Sequence, residues 1–572
     1  MISRVILVLI ACVLFISCTA TYAEQPALVS VRDYGAKGDG IGDDTFAFQS
    51  ALDAVKEKGG TVSVPAGTYA IKTHIVVPDN VTLEGVWNYP AIDIENSKKG
   101  STLLAFEGAG SEEGPAFVTL KTNATIKGIA VYYPEQKPEN LKPYPWCIAG
   151  DGVNVAIIDC MLVNPYQGVD LGTRSCDRHL VRNLYGHPLR RGLFVDKCFD
   201  IGRIENVHFW PFWNTWRWTP EQMGALGAVT SGQGEAFIFA RTDWEYVTNT
   251  FCWGYKIGYK FMASKDGAMN GNLLGIGADA TEIAVLVETC NQIGLLITNG
   301  EFVSFTGEKP TTVVVKESNG GTVQFQNSSF WGTPYQIARI AGSGSVSFNN
   351  CNFLPCRNAN GKVPSIETFG GNLLVNGCNF QDDLSPQITL RGDTQTAVVV
   401  GNRMAGPIRV SNPAKADVQI GLNVVAKPPK RPQEERGAIV VDDEDGYPSV
   451  ALSGNWQLAR GKDLYYRGTR WAVKGNGDSK AIFKPSVPKT GRYTVFVYFG
   501  PDPVKDHASN APVEIRFADG VEVKHANLRP FKGAWLKLGT YKFLKGQSGS
   551  ITFSNAANGN VMADAVKLLP VK

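Results

Sequence analysis

The sequence predicts an all-β chain: a solenoid of short parallel strands closed by one N-terminal helix, then an antiparallel β-sandwich. Three observations lead there. Ser329-Phe330, Asn352-Phe353, Asn379-Phe380 and Arg403-Met404 recur every roughly 23–28 residues, within the range of a solenoid coil. The strands between them are short and apolar, such as Thr311–Val315 and Ala397–Val400, with Gly and Asn as punctuation and no long helical pattern. After a charged, proline-rich stretch the composition changes, cysteine disappears, and strands alternate polar and apolar residues between turns.

The elements follow in chain order. Arg4 precedes an apolar run from Val5 to Ile16, too short and too early for a lasting membrane span, so residues 1–23 are expected to be a secretory signal. Small residues around Ala23 suit ordinary cleavage, while Phe15-Ile16-Ser17-Cys18 offers a competing lipid-anchor site at Cys18. Either route predicts an exported protein with no transmembrane span in its mature form.

The stretch from Val31 to Ile71 holds a glycine-rich turn, one amphipathic helix and a strand interrupted by Pro65-Ala66-Gly67. Asp44 is expected to be the helix N-cap. Phe48, Ala51, Leu52 and Val55 share one face. Gly59-Gly60 suits the left-handed position beyond the helix end. Such a helix would cover the open end of a solenoid, whose strand edges and core would otherwise be bare.

This opening closely resembles the N-terminal cap of the pectate-lyase-like superfamily, which is related to glycoside hydrolase family 28 and includes rhamnogalacturonase- and epimerase-like proteins. The resemblance implies a right-handed parallel β-helix over residues 27–425 and a polysaccharide as substrate. It carries over no catalytic residue. The Asn-Thr-Asp, Asp-Asp and Gly-His-Gly set of family 28 has no counterpart at fitting positions, nor do the calcium-binding aspartates and arginine base of pectate lyases.

Of eleven cysteines two lie in the signal. Cys160, Cys351 and Cys378 sit in similar contexts, which suggests stacked buried thiols rather than a disulfide framework, with Cys351–Cys356 the one bridge left open. No cysteine or histidine spacing suggests zinc. No metal or cofactor is expected from the residues; calcium stays open.

Residues 426–436 form the linker. Residues 437–572 are the expected sandwich. Val440-Val441-Asp442-Asp443, Gly454-Asn455-Trp456, Gly533-Ala534-Trp535 and Val561-Met562-Ala563-Asp564 resemble the golvesin or xanthan-lyase carbohydrate-binding-like module. Trp456 and Trp535 are expected in its core.

The stretch from Asn164 to Phe261 breaks the coil rhythm and is rich in charge and aromatics, and the candidate chemistry lies within it, from Tyr166 to Tyr259. Insertions in a solenoid tend to map to its binding face. Three of the six histidines fall in one segment of about thirty residues, and four of the twelve tryptophans fall within nine. A glycan cleft needs aromatic faces for the sugar ring and polar groups for its hydroxyls. The proposed catalytic set is Asp170, Glu205, Glu235 and Asp243 for hydrolysis by paired carboxylates, or His179 and His187 for β-elimination from a uronate. Glu245 lies two residues from Asp243, on the same face of a strand. Arg182, Tyr185, Arg190, Arg191, His208, Trp210, Trp213, Trp216, Trp218, Arg241 and Trp244 are the expected substrate contacts. Against each stands an ordinary surface, ion-pair or packing role. Hydrolase is the leading expectation, lyase the first alternative, and a non-catalytic glycan-binding surface protein the second. The net charge of only +3 argues against nucleic acid as partner. Oligomeric state is left open.

Overall fold

The computed structural model describes residues 27–88, 99–214, 219–356, 363–383, 385–426, 430–460, 463–499, 506–530 and 533–571. The signal segment with Ala23 and Cys18 lies outside them. Among the described residues no helix is long and apolar enough to cross a membrane.

From Ala27 to Val425 the described strands, apart from one two-stranded hairpin, wind into a single 38-stranded sheet whose pairings are parallel and link successive coils. This is a parallel β-helix. Its inward side chains stack by type. Phe302, Phe330, Phe353 and Phe380 form a column with ring centroids 5.5, 5.3 and 4.7 Å apart. Phe325 lies parallel to Phe348 beside it, at 5.1 Å. The corners between sheets need left-handed backbone, which asparagine tolerates better than most residues. Asn80, Asn123 and Asn154 take φ of 61°, 58° and 56°. Their side-chain amides join in a ladder of 2.8 and 2.7 Å bonds, so the corner residue also ties one coil to the next.

The capping helix α1 (Thr45–Val55) buries Ala47, Phe48, Ala51, Leu52 and Val55, the expected face. Asp44 differs from expectation. It occupies the N-cap position without capping the helix. Its carboxylate accepts instead from the backbone N–H of Lys37 at 2.6 Å and Gly38 at 3.2 Å, pinning the glycine-rich turn. Asp43 serves the helix start by accepting from the Thr45 N–H at 3.0 Å.

All nine described cysteines are free and buried, so Cys351 and Cys356 are not bridged. Cys351 and Cys378 stack on neighbouring coils, the Cys351 N–H lying 3.4 Å from the Cys378 sulfur. The stretch from Asn164 to Phe261 is mostly regular coil. Its irregular part lies between the strands Arg203–Phe209 and Glu235–Phe239, where helix α2 (Pro220–Gln233) is inserted. Thr219 and Gln222 form a capping box at its start, and Met223, Leu226 and Thr230 are its buried side.

Beyond the linker, three antiparallel sheets enclose a second core containing Trp456, Phe483, Val495, Val513 and Phe553. Trp456 is buried there as expected. Trp535 is not fully enclosed: it packs beside Tyr465 and Tyr498, with the Lys567 ammonium 4.6 Å from its ring.

Candidate functional site

Five consecutive rungs of one sheet build a groove: β1 (Trp146–Gly150), β2 (Gln167–Leu171), β3 (Arg191–Val195), β4 (Glu235–Phe239) and β5 (Ile257–Phe261). Alternation sends Val169, Leu193, Phe237 and Tyr259 into the core. Two register ladders meet the groove. One, at the alternate positions, runs Ala149, Asp170, Phe194, Ile238, Lys260; the other, at the strand starts, runs Trp146, Gln167, Arg191, Glu235, Ile257. All of these but Ile257 line a groove of about 630 Å3, together with Glu112, Glu113 and Asp151 among others.

The groove's polar groups are closely tied. Asp170 is buried, and one carboxylate oxygen accepts from the N–H of Gly172 at 2.9 Å and of Thr173 at 2.8 Å. These two bonds fix the orientation of the Asp170 side chain. An asparagine could accept the same two bonds. Asp151 follows β1, one rung away, and lies 2.5 Å from the Lys121 ammonium. With rungs ~4.8 Å apart and ~3.3 Å per residue, the α-carbons of Asp151 and Asp170 are ~8 Å apart, whereas those of Asp170 and Glu235 are ~14 Å apart. Glu235 is 3.2 Å from Lys260 and 3.9 Å from Arg190. Arg191 donates to Gln167 at 2.8 Å and lies 3.5 Å from Glu112. Burial, then the neighbouring Glu112, pushes the Tyr166 phenol above its ordinary pKa. Trp146 and Phe194 lie with planes 17° apart and centroids 6.3 Å apart, two aromatic faces within the lining.

The groove brings together three of the sequence-predicted residues, Asp170, Arg191 and Glu235, with Arg190 3.9 Å from Glu235. The others are dispersed. His179 and His187 are fully buried, out of reach of a glycan, which corrects their expected catalytic role. His179 Nδ1 is 2.8 Å from the Cys176 carbonyl and Nε2 is 2.8 Å from Glu245. Burial opposes its charge, but the Glu245 carboxylate prevails and raises its pKa well above the ordinary value. His187 has neither nitrogen hydrogen-bonded, and burial lowers its pKa to about 3, so it is a neutral core ring beside Tyr255.

Arg182 and Glu205 are register partners on the strands Leu180–Gly186 and Arg203–Phe209, away from the groove. Tyr185 and His208 of the same strands form an aromatic cluster with Trp210 and Trp213. Trp213 covers the outer face of Ala130, Tyr132, Met161 and Val163, and donates to the His208 carbonyl at 3.3 Å. That cluster packs the insertion against the coil. Arg241 and Asp243, 4.0 Å apart, and the exposed Trp244 occupy the turn after β4. Trp216 and Trp218 lie outside the described residues. The sequence argument missed Trp146, Asp151, Phe194 and Lys260. The signal for them is positional and needs strand register: each lies on or just beyond a strand that carries Arg191 or that pairs with a strand carrying Asp170, Arg191 or Glu235.

Comparison with known proteins places two segments. Residues 28–159 match the model described as Rhamnogalacturonase A/epimerase, pectate lyase-like, and residues 439–570 match the Golvesin C-terminal domain. Xanthan lyase of Bacillus sp. (strain GL1) is 31% identical over 147 residues, 24% of this chain and 15% of that protein. Plasmin and fibronectin-binding protein A of Streptococcus pneumoniae is 35% identical over 177 residues, 28% of this chain and 24% of that protein. Alginate lyase 7 of Azotobacter vinelandii is 56% identical over 43 residues, 7% of this chain and 5% of that protein. The chain thus spans a quarter or less of these relatives. The A-module of Azotobacter vinelandii mannuronan C-5 epimerase AlgE6 aligns in structure over 70% of this chain and all of that one, at 14% identity and a TM-score of 0.43. The chain is thus a parallel β-helix whose opening is similar to the pectate-lyase-like model, followed by a segment similar to the Golvesin C-terminal domain.

Proposed function

We propose that this is an exported polysaccharide-cleaving enzyme whose substrate lies across β1–β5, and that it acts as a glycoside hydrolase. The observation that carries this reading is one groove lined by carboxylates and by the aromatic faces of Trp146 and Phe194. Hydrolysis needs one carboxyl group to protonate the leaving oxygen and another to attack or to activate water, at separations of about 5–10 Å. Asp170 suits the second role because its backbone partners hold its side chain in place within the groove. Asp151, on the preceding rung, is within the spacing for the first. Glu235 is the other carboxylate of the floor, held by Lys260 and Arg190. Of the lining's three cations, Lys260 and Arg191 each face a carboxylate already, which lowers the groove's demand for a strongly anionic sugar.

A lyase is the second reading. Tyr166 sits with Glu112 and feels the charges of Arg190 and Arg191, an acid beside cations of the kind β-elimination uses. The xanthan lyase and alginate lyase relatives are consistent with it. The pectate-lyase-like match ends at residue 159, before Asp170, Arg191 and Glu235, and so leaves the reaction to experiment.

The test is incubation of purified protein with neutral and uronate-containing polysaccharides, following reducing ends and the ultraviolet absorbance of unsaturated uronates together. Reducing ends without absorbance are expected. Both signals together would replace hydrolysis by elimination. Silence across the panel would favour a glycan-binding surface protein.

A further inference from the structure

The C-terminal domain contains a second cluster of chemistry that the groove does not use. Asp442 ends the strand Ile439–Asp442, Asp443 opens the short turn that follows, and Asp564 stands between the last two strands, Val561–Ala563 and Ala565–Pro570. Pairing of Asp442 with Ala565 and a 2.8 Å bond from the Asp443 N–H to the Asp564 carbonyl hold the three together. All three are at least nine-tenths buried, at 0%, 3% and 0% exposure.

Buried carboxylates are normally paired or hydrogen-bonded, because desolvating an unpaired charge costs several kcal/mol. These are only partly satisfied. Asp442 accepts from the Glu444 N–H at 3.2 Å through one oxygen, and Asp564 from the Tyr465 N–H at 3.3 Å through one oxygen. The second oxygen of each, and both oxygens of Asp443, have no hydrogen-bond partner. One atom from each carboxylate lies within 4.8 Å of the others. Two oxygens bound to one calcium at 2.3–2.6 Å can be at most about 5 Å apart, so the spacing fits a shared ion.

Charge points the same way. Arg470 Nε is 3.3 Å from Asp443. The nearby Arg431 is engaged by Asp445, and Arg467 by Glu444 and by Asp383 of the β-helix. Three carboxylates against one guanidinium leave two negative charges, the complement of a divalent cation. The donors are all oxygen, which selects hard cations of the calcium or magnesium class.

We propose that Asp442, Asp443 and Asp564 form a divalent-cation site, with calcium the best-fitting occupant, that fixes the start of the C-terminal domain to its last strand. Asp383, Arg467 and Glu444 form a chain of ion pairs from the β-helix to the turn bearing Asp443, so an ion there would also stiffen the junction between the two domains.

The experiment uses the full chain freed of metal with EDTA, titrated with CaCl2 and then MgCl2 by calorimetry, with thermal unfolding followed in parallel. One saturable site is expected, with an upward shift of the C-terminal unfolding transition. Asp564→Asn and Asp442→Asn each replace a buried carboxyl by a neutral amide of the same shape, so both should fold without metal. They should bind calcium at least tenfold more weakly and unfold at the same temperature with and without CaCl2. No saturable heat and no thermal shift with either salt in the parent protein would overturn the proposal. An unaltered calcium response in both variants would also overturn it.

Discussion

Glu245→Gln separates a structural pair from a catalytic one. Glu245 and His179 are both fully buried, 2.8 Å apart, and Glu245 also accepts from the Thr242 hydroxyl. The substitution keeps volume and still allows a neutral hydrogen bond. Removing one member of a buried ion pair costs about 3–5 kcal/mol, and the remaining neutral bond returns about 1 kcal/mol. A loss of about 2–4 kcal/mol follows, because the imidazolium is no longer supported. The site has little room to adapt: a methyl group at Gly202 would overlap the His179 ring. The pH dependence has a definite sign. The folded His179 pKa is raised, so its contribution is complete below the unfolded value near 6.5 and disappears as pH climbs through the folded value. The stability difference between parent and variant should therefore be large at pH 6 and shrink in alkali. Urea unfolding at several pH values measures it, alongside specific activity of the folded protein, which should be unchanged. A variant of equal stability, or one folded and stable but inactive, would refute this account of His179.

Further outcomes follow from the same structure. Phe330→Ala opens the aromatic column between Phe302 and Phe353 and should cost about 3–5 kcal/mol in urea unfolding. Trp146→Ala removes one aromatic face of the groove; a loss of about 1 kcal/mol should raise KM roughly five- to tenfold with little change in kcat. In metal-free protein, burial raises the Asp442 and Asp564 pKa values to about 7 and about 8, with Asp443, Glu444 and Asp445 adding to the negative field and Arg431 and Arg470 opposing it. The stability these protonated groups allow is complete below their ordinary value near 3.8 and is lost as pH rises through 7 and 8. Thermal melts should show that alkaline loss in EDTA, and CaCl2 should abolish it.

The fold was legible because its causes are local and repeated. The recurring Asn-Phe pairs mark corners and core columns, and the face of α1 follows from Phe48, Leu52 and Val55 alone. Asp44 illustrates where local rules stop. Its position before a helix predicts a cap, but the folded chain brings Lys37 and Gly38 within reach, and their N–H groups take the carboxylate. The site was harder to see for a related reason. Clustering along the chain put His179, Trp213 and Glu205 beside Asp170 and Arg191, yet a coil distributes neighbours in sequence over its interior and three outer faces. Trp146, Arg191 and Glu235 meet because they hold the same outward position on successive rungs, a relation visible only once strand register is known. The tryptophan run misled because aromatic residues that pack an insertion onto a coil have the same composition as those that stack on sugars.

The central claim is that glycan cleavage occurs in the groove of β1–β5. The most direct test compares parent, Asp170→Asn, Asp151→Asn and Glu235→Gln on whichever polysaccharide the parent cleaves, with circular dichroism and melting temperature as folding controls. Asp170→Asn retains acceptors for the Gly172 and Thr173 N–H groups, so it should fold normally while kcat falls by about 10²–10⁴, and at least one of the other two should fall comparably. Undiminished turnover in all three folded variants would contradict the account and move the chemistry to another face of the β-helix.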